Sequence, residues 1–360
     1  MKILFKSEPR VILENPNEKH NYFAWPTVAR LPDGRIAVAA SGFRLRHICP
    51  FGKTVLAFSN DNGNSYSPPV PIIDTVLDDR DGGITAFGEN SLLVSSFNNR
   101  VSFQRLHAKS DYDLHYLDSV TEEAEQEALG ANFRISHDGG NTFGPILKSP
   151  VTSPHGPAPL PDGTLLWLGN PFNYAGNADT NRIEAHRVYP DGHMEYVGTV
   201  PKVPMEKDVY WCEPHAIALP DGRILVHIRV QNYKESVFTL FQSESRDGGR
   251  TWSVPQQLLQ DCGGAPGHLL RLKDGTLLCV YSHRGCPYGT APFAIKAMFS
   301  FDDGKTWDTD HVLFEGNGSW DMGYPSTAQL PDGTLLTVFY ARPDKDSPAV
   351  IWQQTWRFEQ

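Results

Sequence analysis

The chain has 360 residues, 40% of them hydrophobic, and a formal charge of −10. That length suits one large all-β domain or two average ones, and the excess of acid argues against nucleic acid or an anionic membrane as partner, because both recruit basic surfaces. No apolar run reaches membrane-spanning length.

The first residues, MKILFKSEPRVIL, lack the long apolar core of a secretory signal. The cysteines Cys49, Cys212, Cys262, Cys279 and Cys286 show no CxxC and no paired spacing. They read as free thiols in a reducing compartment, so a cytoplasmic protein is expected. A chain with 31 glycines and 28 prolines fits many short strands and turns.

In chain order, KSEPRVIL comes first and resembles two later segments, FGPILKSP and WSVPQQLL. Then a hairpin recurs: RLPDGRIAV, the degenerate AFGENSLLV, PLPDGTLLWL, ALPDGRILVHI, RLKDGTLLCVY and QLPDGTLLTVFY. Its acidic turn residue stands at Asp33, Glu89, Asp162, Asp221, Asp274 and Asp332, with spacings of 56, 73, 59, 53 and 58. Asp-Gly between two β-rich runs is a strong hairpin signal. A second turn, Ser-x-Asp-x-Gly-x-Ser/Thr-aromatic, recurs as SNDNGNSY, SHDGGNTF, SRDGGRTW and SFDDGKTW. In the third unit a worn copy, VYPDGHMEY, takes its place. Each unit is therefore four antiparallel strands, and six units at this period predict a six-bladed β-propeller spanning residues 1–360. The last unit lacks a fourth strand. KSEPRVIL supplies it and closes the ring, removing an open sheet edge. The long spacing of 73 marks an insertion at 111–130, polar and helix-favouring, with Gly130 as its C-cap. It reads as a solvated surface helix, a lid or a subunit contact.

These Asp boxes and Asp-Gly hairpins resemble the sialidase superfamily of six-bladed propellers over essentially the whole chain. The boxes themselves, around Asp61, Asp138, Asp247 and Asp302, are folding turns on the outer edge of each blade. In such a propeller the first strand of every blade lines the axis. Counting eight residues back from each turn acid gives Trp25, Asp81, Pro154, Glu213, Pro266 and Tyr324. Neighbouring offsets add Asp79, Arg80, His155, His215 and His268. The second strands end in cations: Arg44 and Arg46, Arg100, Arg229, Arg284 and Arg342. A pocket at one axial face is expected to collect them, either as a site or as a structural ion network.

The resemblance implies an exo-acting glycoside hydrolase with a tyrosine nucleophile. By it, Glu213 in CEP is the activating base, Tyr324 in GYPSTAQLPDG the nucleophile, and Asp81 the acid/base with Asp79 as alternate. Arg229 and Arg284 would clamp a substrate carboxylate. One departure stands out: AWP replaces the family's Arg-Ile-Pro, so Ala24 sits where an arginine belongs. The clamp is then incomplete unless Arg80, Arg44 or Arg46 substitutes, and Trp25 offers a stacking platform for a sugar ring. The implied substrate is a terminal, acidic, sialic-acid-like sugar. A non-catalytic carbohydrate-binding propeller, a polysaccharide lyase and an arabinanase-like enzyme remain alternatives. No metal-ligand spacing or phosphate loop occurs, so no metal or cofactor is expected.

Overall fold

The computed structural model describes residues 2–176 and 179–359. It is a ring of six antiparallel sheets. Blade one comprises Tyr22–Arg30, Ile36–Arg44, Lys53–Ser59 and Val70–Ile73, from axis to rim. Blade two comprises Arg80–Phe87, Ser91–Phe97, Ala131–Ser136 and Leu147–Ser149. Blade three has a broken inner strand, Val151–Thr152 and Ala158–Pro159, followed by Leu165–Pro171, Ile183–Val188 and Met194–Val200. Blade four runs Tyr210–Ala218, Ile224–Asn232, Val237–Ser245 and Gln256–Gln257. Blade five runs Gly267–Arg271, Leu277–Arg284, Phe293–Ser300 and Asp308–Glu315. Blade six, Gly323–Gln329, Leu335–Ala341 and Val350–Glu359, takes its outer strand from the N-terminus: both Lys2–Lys6 and Arg10–Leu13 pair with Val350–Glu359. The expected closure of the ring is thus present.

The recurrent turns explain why these strands form. In the second turn the carboxylate is wrapped by its own loop. Asp61 accepts from the Ser65 hydroxyl (2.6 Å), the Ser65 N–H (2.8 Å) and the Ser59 hydroxyl (2.7 Å). The same pattern holds Asp138, Asp247 and Asp302. Side-chain hydrogen bonds, then backbone ones, hold Asp61, Asp138 and Asp247 at about 2. The aromatic that ends the turn reaches the preceding blade of the ring: Tyr66 bonds Gln353 (2.6 Å) and Trp307 bonds Gln242 (2.9 Å). The larger apolar clusters lie between neighbouring blades, for example Val38 and Val55 of blade one against Val338 and Ile351 of blade six. Blade-to-blade packing, rather than one central core, therefore holds the ring.

The insertion in blade two differs from expectation. It begins at Val101, ten residues early, and is three helices: α1 (Val101–Leu106), α2 (Asp111–Ser119) and α3 (Glu122–Ala128). Ser110 and Thr121 cap α2 and α3 by accepting from the N–H of Asp113 and Ala124. Leu129 holds the C-cap of α3, and Gly130 instead donates its N–H to Asn98 (2.9 Å). Lacking the left-handed backbone of a glycine cap, Gly130 does not play its expected part. The insertion is tied down by Arg46 to Asp113 and by Tyr116 to the carbonyl of Val76 (3.1 Å).

The reading of five free thiols is also corrected. Cys262 and Cys286 form a disulfide with Cα atoms 5.2 Å apart, while Cys49, Cys212 and Cys279 are free and buried. The pair comes from two loops that only the fold brings together. The expectation of a reducing compartment rested on unpaired thiols and loses that support.

Candidate active site

The site is built from one backbone device used four times. Trp25, Asp81, Glu213 and Tyr324 have φ of +52°, +53°, +46° and +50°. Each sits in a β-bulge on an inner strand. Between Ala24 and Thr27, Arg80 and Gly83, Cys212 and His215, and Gly323 and Ser326, the inner strand carries one residue more than its partner. A left-handed backbone is unfavourable for such residues, more so where proline follows at Pro26, Pro214 and Pro325. The bulge re-aims one side chain per blade toward the axis. The four are the non-proline members of the eight-residue register.

All four line one cavity of about 840 Å³, with Arg80, Arg229 and Arg284. This volume lies within the range of small-ligand sites. The hydroxyl of Tyr324 donates to Glu213 Oε1 at 2.7 Å. Arg229 bonds the same hydroxyl at 3.1 Å, and also Glu213 and Tyr233. The bulge sets this geometry: Arg229 is the ladder partner of Cys212, so its head meets Glu213 one residue on. Burial, then the Glu213 charge, raises the Tyr324 phenol well above its ordinary value. It is a neutral hydroxyl pointed at a carboxylate. Asp81 is 7% exposed, and its carboxyl is pushed up to about 7, by burial first and then by Glu213, against Arg80, Arg44 and Arg229.

Arg284 is 4% exposed. Its guanidinium bonds the carbonyl of Met322 (3.0 Å) and the hydroxyls of Tyr340 (3.1 Å) and Tyr288 (3.4 Å), and no carboxylate among the described residues lies within ion-pair reach. A buried cation without a counter-ion is costly, and an anionic ligand relieves it. Arg80 shares one carboxylate, Asp78, with Arg44 (3.4 and 2.5 Å). Three arginines therefore face the cavity although Ala24 is no arginine.

Several expected site residues lie elsewhere. Arg44 is fully buried, bonded to Asp78 and Ser41 behind Trp25. Arg46 pairs with Asp113 of α2. Arg100 donates to the carbonyl of Tyr174, and Arg342 pairs with Asp321. Asp79 faces away from the cavity and accepts from Thr75 and Asn98. Burial pushes it up to about 7, but it is a structural acid. Trp25 lines the cavity yet is only 2% exposed, with the guanidinium carbons of Arg80 and Arg44 4.2 and 4.8 Å from its ring centre. It carries arginines rather than a sugar ring. His155, His215 and His268 pack on one another at 4.5–5.6 Å and line a different cavity, of about 360 Å³, with Thr85 and Thr327. His215 and His268 lie two residues beyond the register position, about 7 Å further along the strand and toward the Asp-Gly turns. Burial drives all three well below the ordinary histidine value, so they are neutral packing groups.

The register count missed His47, Phe97, Phe103, Gln231, Tyr233, Tyr288, Gly289 and Trp320, which also line the cavity. Two of these carry a sequence signal. Tyr233 and Tyr288 each follow a clamp arginine by four residues, and their rings stack at 4.0 Å. Phe103 comes from α1, within the stretch of insertion that was not foreseen. Among the described residues no cluster of histidine, cysteine or acid is arranged to hold a metal.

Four Asp-box turns in a ring of six antiparallel blades around a polar axial cavity define a BNR-type propeller. The chain belongs to the BNR repeat-like domain family, which it matches over residues 135–337. Among curated proteins none matches the sequence. A Dyadobacter fermentans protein of unknown function superposes with a TM-score of 0.73 at 20% identity, covering 99% of both chains. The NanB sialidase of Streptococcus pneumoniae is similar at TM-score 0.65 and 12% identity, over 97% of this chain and 70% of its own. The GH93 α-L-arabinofuranosidase of Fusarium graminearum, complexed with arabinobiose, gives 0.64 and 12% over 98% of each chain. At these identities the likeness is one of fold.

Proposed function

We propose that this protein is an exo-acting, retaining glycoside hydrolase that removes a terminal acidic, sialic-acid-like sugar. The observation that carries the proposal is the Tyr324–Glu213 hydrogen bond of 2.7 Å inside an arginine-lined cavity. A substrate bearing a carboxylate at its reacting carbon repels an anionic nucleophile, and a neutral phenol beside a base avoids this. In the first step Tyr324 Oη attacks the anomeric carbon while Glu213 takes its proton. Asp81, protonated below about pH 7, gives its proton to the leaving oxygen as the glycosidic bond breaks. In the second step Asp81 takes a proton from water, the water oxygen attacks the same carbon, and Tyr324 leaves with the proton returned by Glu213. Arg284, Arg229 and Arg80 hold the substrate carboxylate. Sialidases and arabinan-cleaving enzymes among the structural neighbours support a glycosidase reading.

The test is a screen of aryl glycosides, acidic sugars first, followed by a fluorinated analogue of the best substrate. Hydrolysis with a covalent adduct on Tyr324, seen by peptide mass spectrometry, is expected. Full activity in both Tyr324→Phe and Asp81→Ala would refute the assignment.

A further inference from the structure

That mechanism gives no task to His47, which lies in the loop between Ile36–Arg44 and Lys53–Ser59. Its side chain is 32% exposed and lines the cavity next to Trp25, Arg80 and Trp320. Nδ1 lies 2.9 Å from Asp321 Oδ1 and 3.2 Å from the hydroxyl of Tyr22. Asp321 is itself heavily bonded. Tyr22 donates to Oδ1 (2.9 Å), and Arg342 donates twice to Oδ2 (3.1 and 3.0 Å). Burial works to raise the Asp321 pKa, but His47, Tyr22 and Arg342 together hold it at about 2. Asp321 is therefore a carboxylate and only accepts hydrogen bonds. The proton of neutral His47 must then sit on Nδ1, which leaves the lone pair on Nε2.

The imidazole is also fixed in direction. Trp25 meets it edge-on at 5.1 Å, and Trp320 packs at 5.6 Å. The carbonyl of His47 accepts from Arg44 (3.0 Å) and Arg80 (2.9 Å). No group among the described residues bonds Nε2. A histidine kept only for packing would bury both nitrogens or satisfy them. This one has Nδ1 held between the Asp321 carboxylate and the Tyr22 phenol, and leaves Nε2 without a bonded partner on a side chain that lines the cavity. Of the charged groups that act on this imidazole, Asp321 is taken up by Nδ1, and Arg80 and Arg284 can only donate, while Glu213 of the same cavity is occupied by Tyr324 and Arg229. A sugar hydroxyl needs an acceptor there.

We propose that His47 is a specificity residue: its Nε2 accepts a hydrogen bond from one hydroxyl of the bound sugar, with Asp321, Tyr22 and Arg342 as positioning residues. The inference rests on the reading of this cavity as a sugar site. One test needs no ligand. In ¹⁵N-histidine spectra at pH 7.5, with His47 assigned by comparison with His47→Phe, the Nδ1–H tautomer is expected, and Asp321→Asn should shift it toward Nε2–H. An Nε2–H tautomer in the wild type overturns the proposal.

The second test measures binding of N-acetylneuraminic, glucuronic and galacturonic acids through tryptophan fluorescence, since Trp25 and Trp320 line the cavity beside His47. For the best binder and its monodeoxy derivatives, His47→Phe should weaken binding about tenfold, the loss of one hydrogen bond. One deoxy derivative should bind wild type and variant equally, and His47→Gln should recover part of the loss. Equal binding of the parent sugar by wild type and His47→Phe overturns the inference, as does the same tenfold ratio for every deoxy derivative. If the wild type binds one of these free acids yet leaves the aryl glycoside of the same sugar uncleaved, the hydrolase is refuted, and the His47 ratios still decide this contact. No binding of any of the acids overturns both.

Discussion

Replacing Asp81 by asparagine should abolish activity and yet stabilise the protein in a pH-dependent way. The carboxyl of Asp81 is pushed up to about 7 in the folded chain, chiefly by burial. In the unfolded chain it titrates near 3.9, so the gap is roughly three units, or ~4 kcal/mol at 1.36 kcal/mol per unit. Because the folded state holds this proton more tightly, the stabilising contribution is fully present below about pH 4. It is lost as pH rises through 7. Asparagine is a near-isostere that never ionises. The stability difference between Asp81→Asn and wild type should therefore be small at pH 4.5 and grow to ~4 kcal/mol in favour of the variant by pH 8. Asp79, also pushed up to about 7, and the buried histidines titrate in both proteins and cancel in the difference. Urea unfolding followed by circular dichroism at pH 4.5, 6, 7 and 8 measures the gap directly. A gap that does not change with pH, or a variant less stable than wild type at pH 8, would refute the assignment of Asp81 as a proton-holding acid.

Tyr324→Phe should lower kcat at least about a thousandfold while costing only about 1–2 kcal/mol in urea unfolding, since one buried hydroxyl is removed. Arg284→Met should raise KM for an acidic glycoside about 10–100-fold, the value of a charge-assisted hydrogen bond, while the melting temperature holds because a buried charge without a carboxylate partner has gone. Gly82→Ala should destabilise by about 1–3 kcal/mol and reduce activity, because the new Cβ would lie 2.5–2.7 Å from the backbone of Ala40 and force blades one and two apart beside Asp81. Reducing the Cys262–Cys286 bond should cost about 3 kcal/mol through the loop it closes, 24 residues apart in sequence. The same reduction should raise KM by freeing the loop that carries Tyr288.

The propeller was legible because its signals are local and repeated. Each Asp-Gly turn and each Asp box is set by its own few residues, and six copies fix the period. The pocket register was legible for the same reason: a constant offset from the turn finds Asp81, Glu213 and Tyr324. The histidines went astray because counting cannot tell how far a residue lies from the bulge along the axis. Trp25 went astray because its burial depends on Arg44 and Arg80, which come from two blades. Asp321 and His47 meet across 274 residues of chain, through two loops with no repeating pattern, and no local signal announces such a pairing.

The bulges were illegible for a further reason. Local preference argues against them, since bulky residues disfavour φ near +50° and residues before proline favour extended backbone. Four such positions cost about 1–3 kcal/mol each, and Asp81 adds its penalty near neutral pH. A site this expensive persists only where the surrounding structure dictates the backbone. Here each bulge is flanked by regular ladder pairs on the inner strand, as Thr27–Arg30 pair with Ala39–Ile36 in blade one. The cavity-facing strand ends are thus strained while the blade interfaces beneath them are packed. If that division of labour holds, relaxing a bulge by Glu213→Gly should stabilise the backbone locally but leave Arg229 without its carboxylate. Glu213→Gln should keep the strain and lose only the charge. Both variants lose the ion pair and differ in the strain, so Glu213→Gly should be the more stable of the two in urea, and equal stabilities would show that the backbone at this position carries no strain.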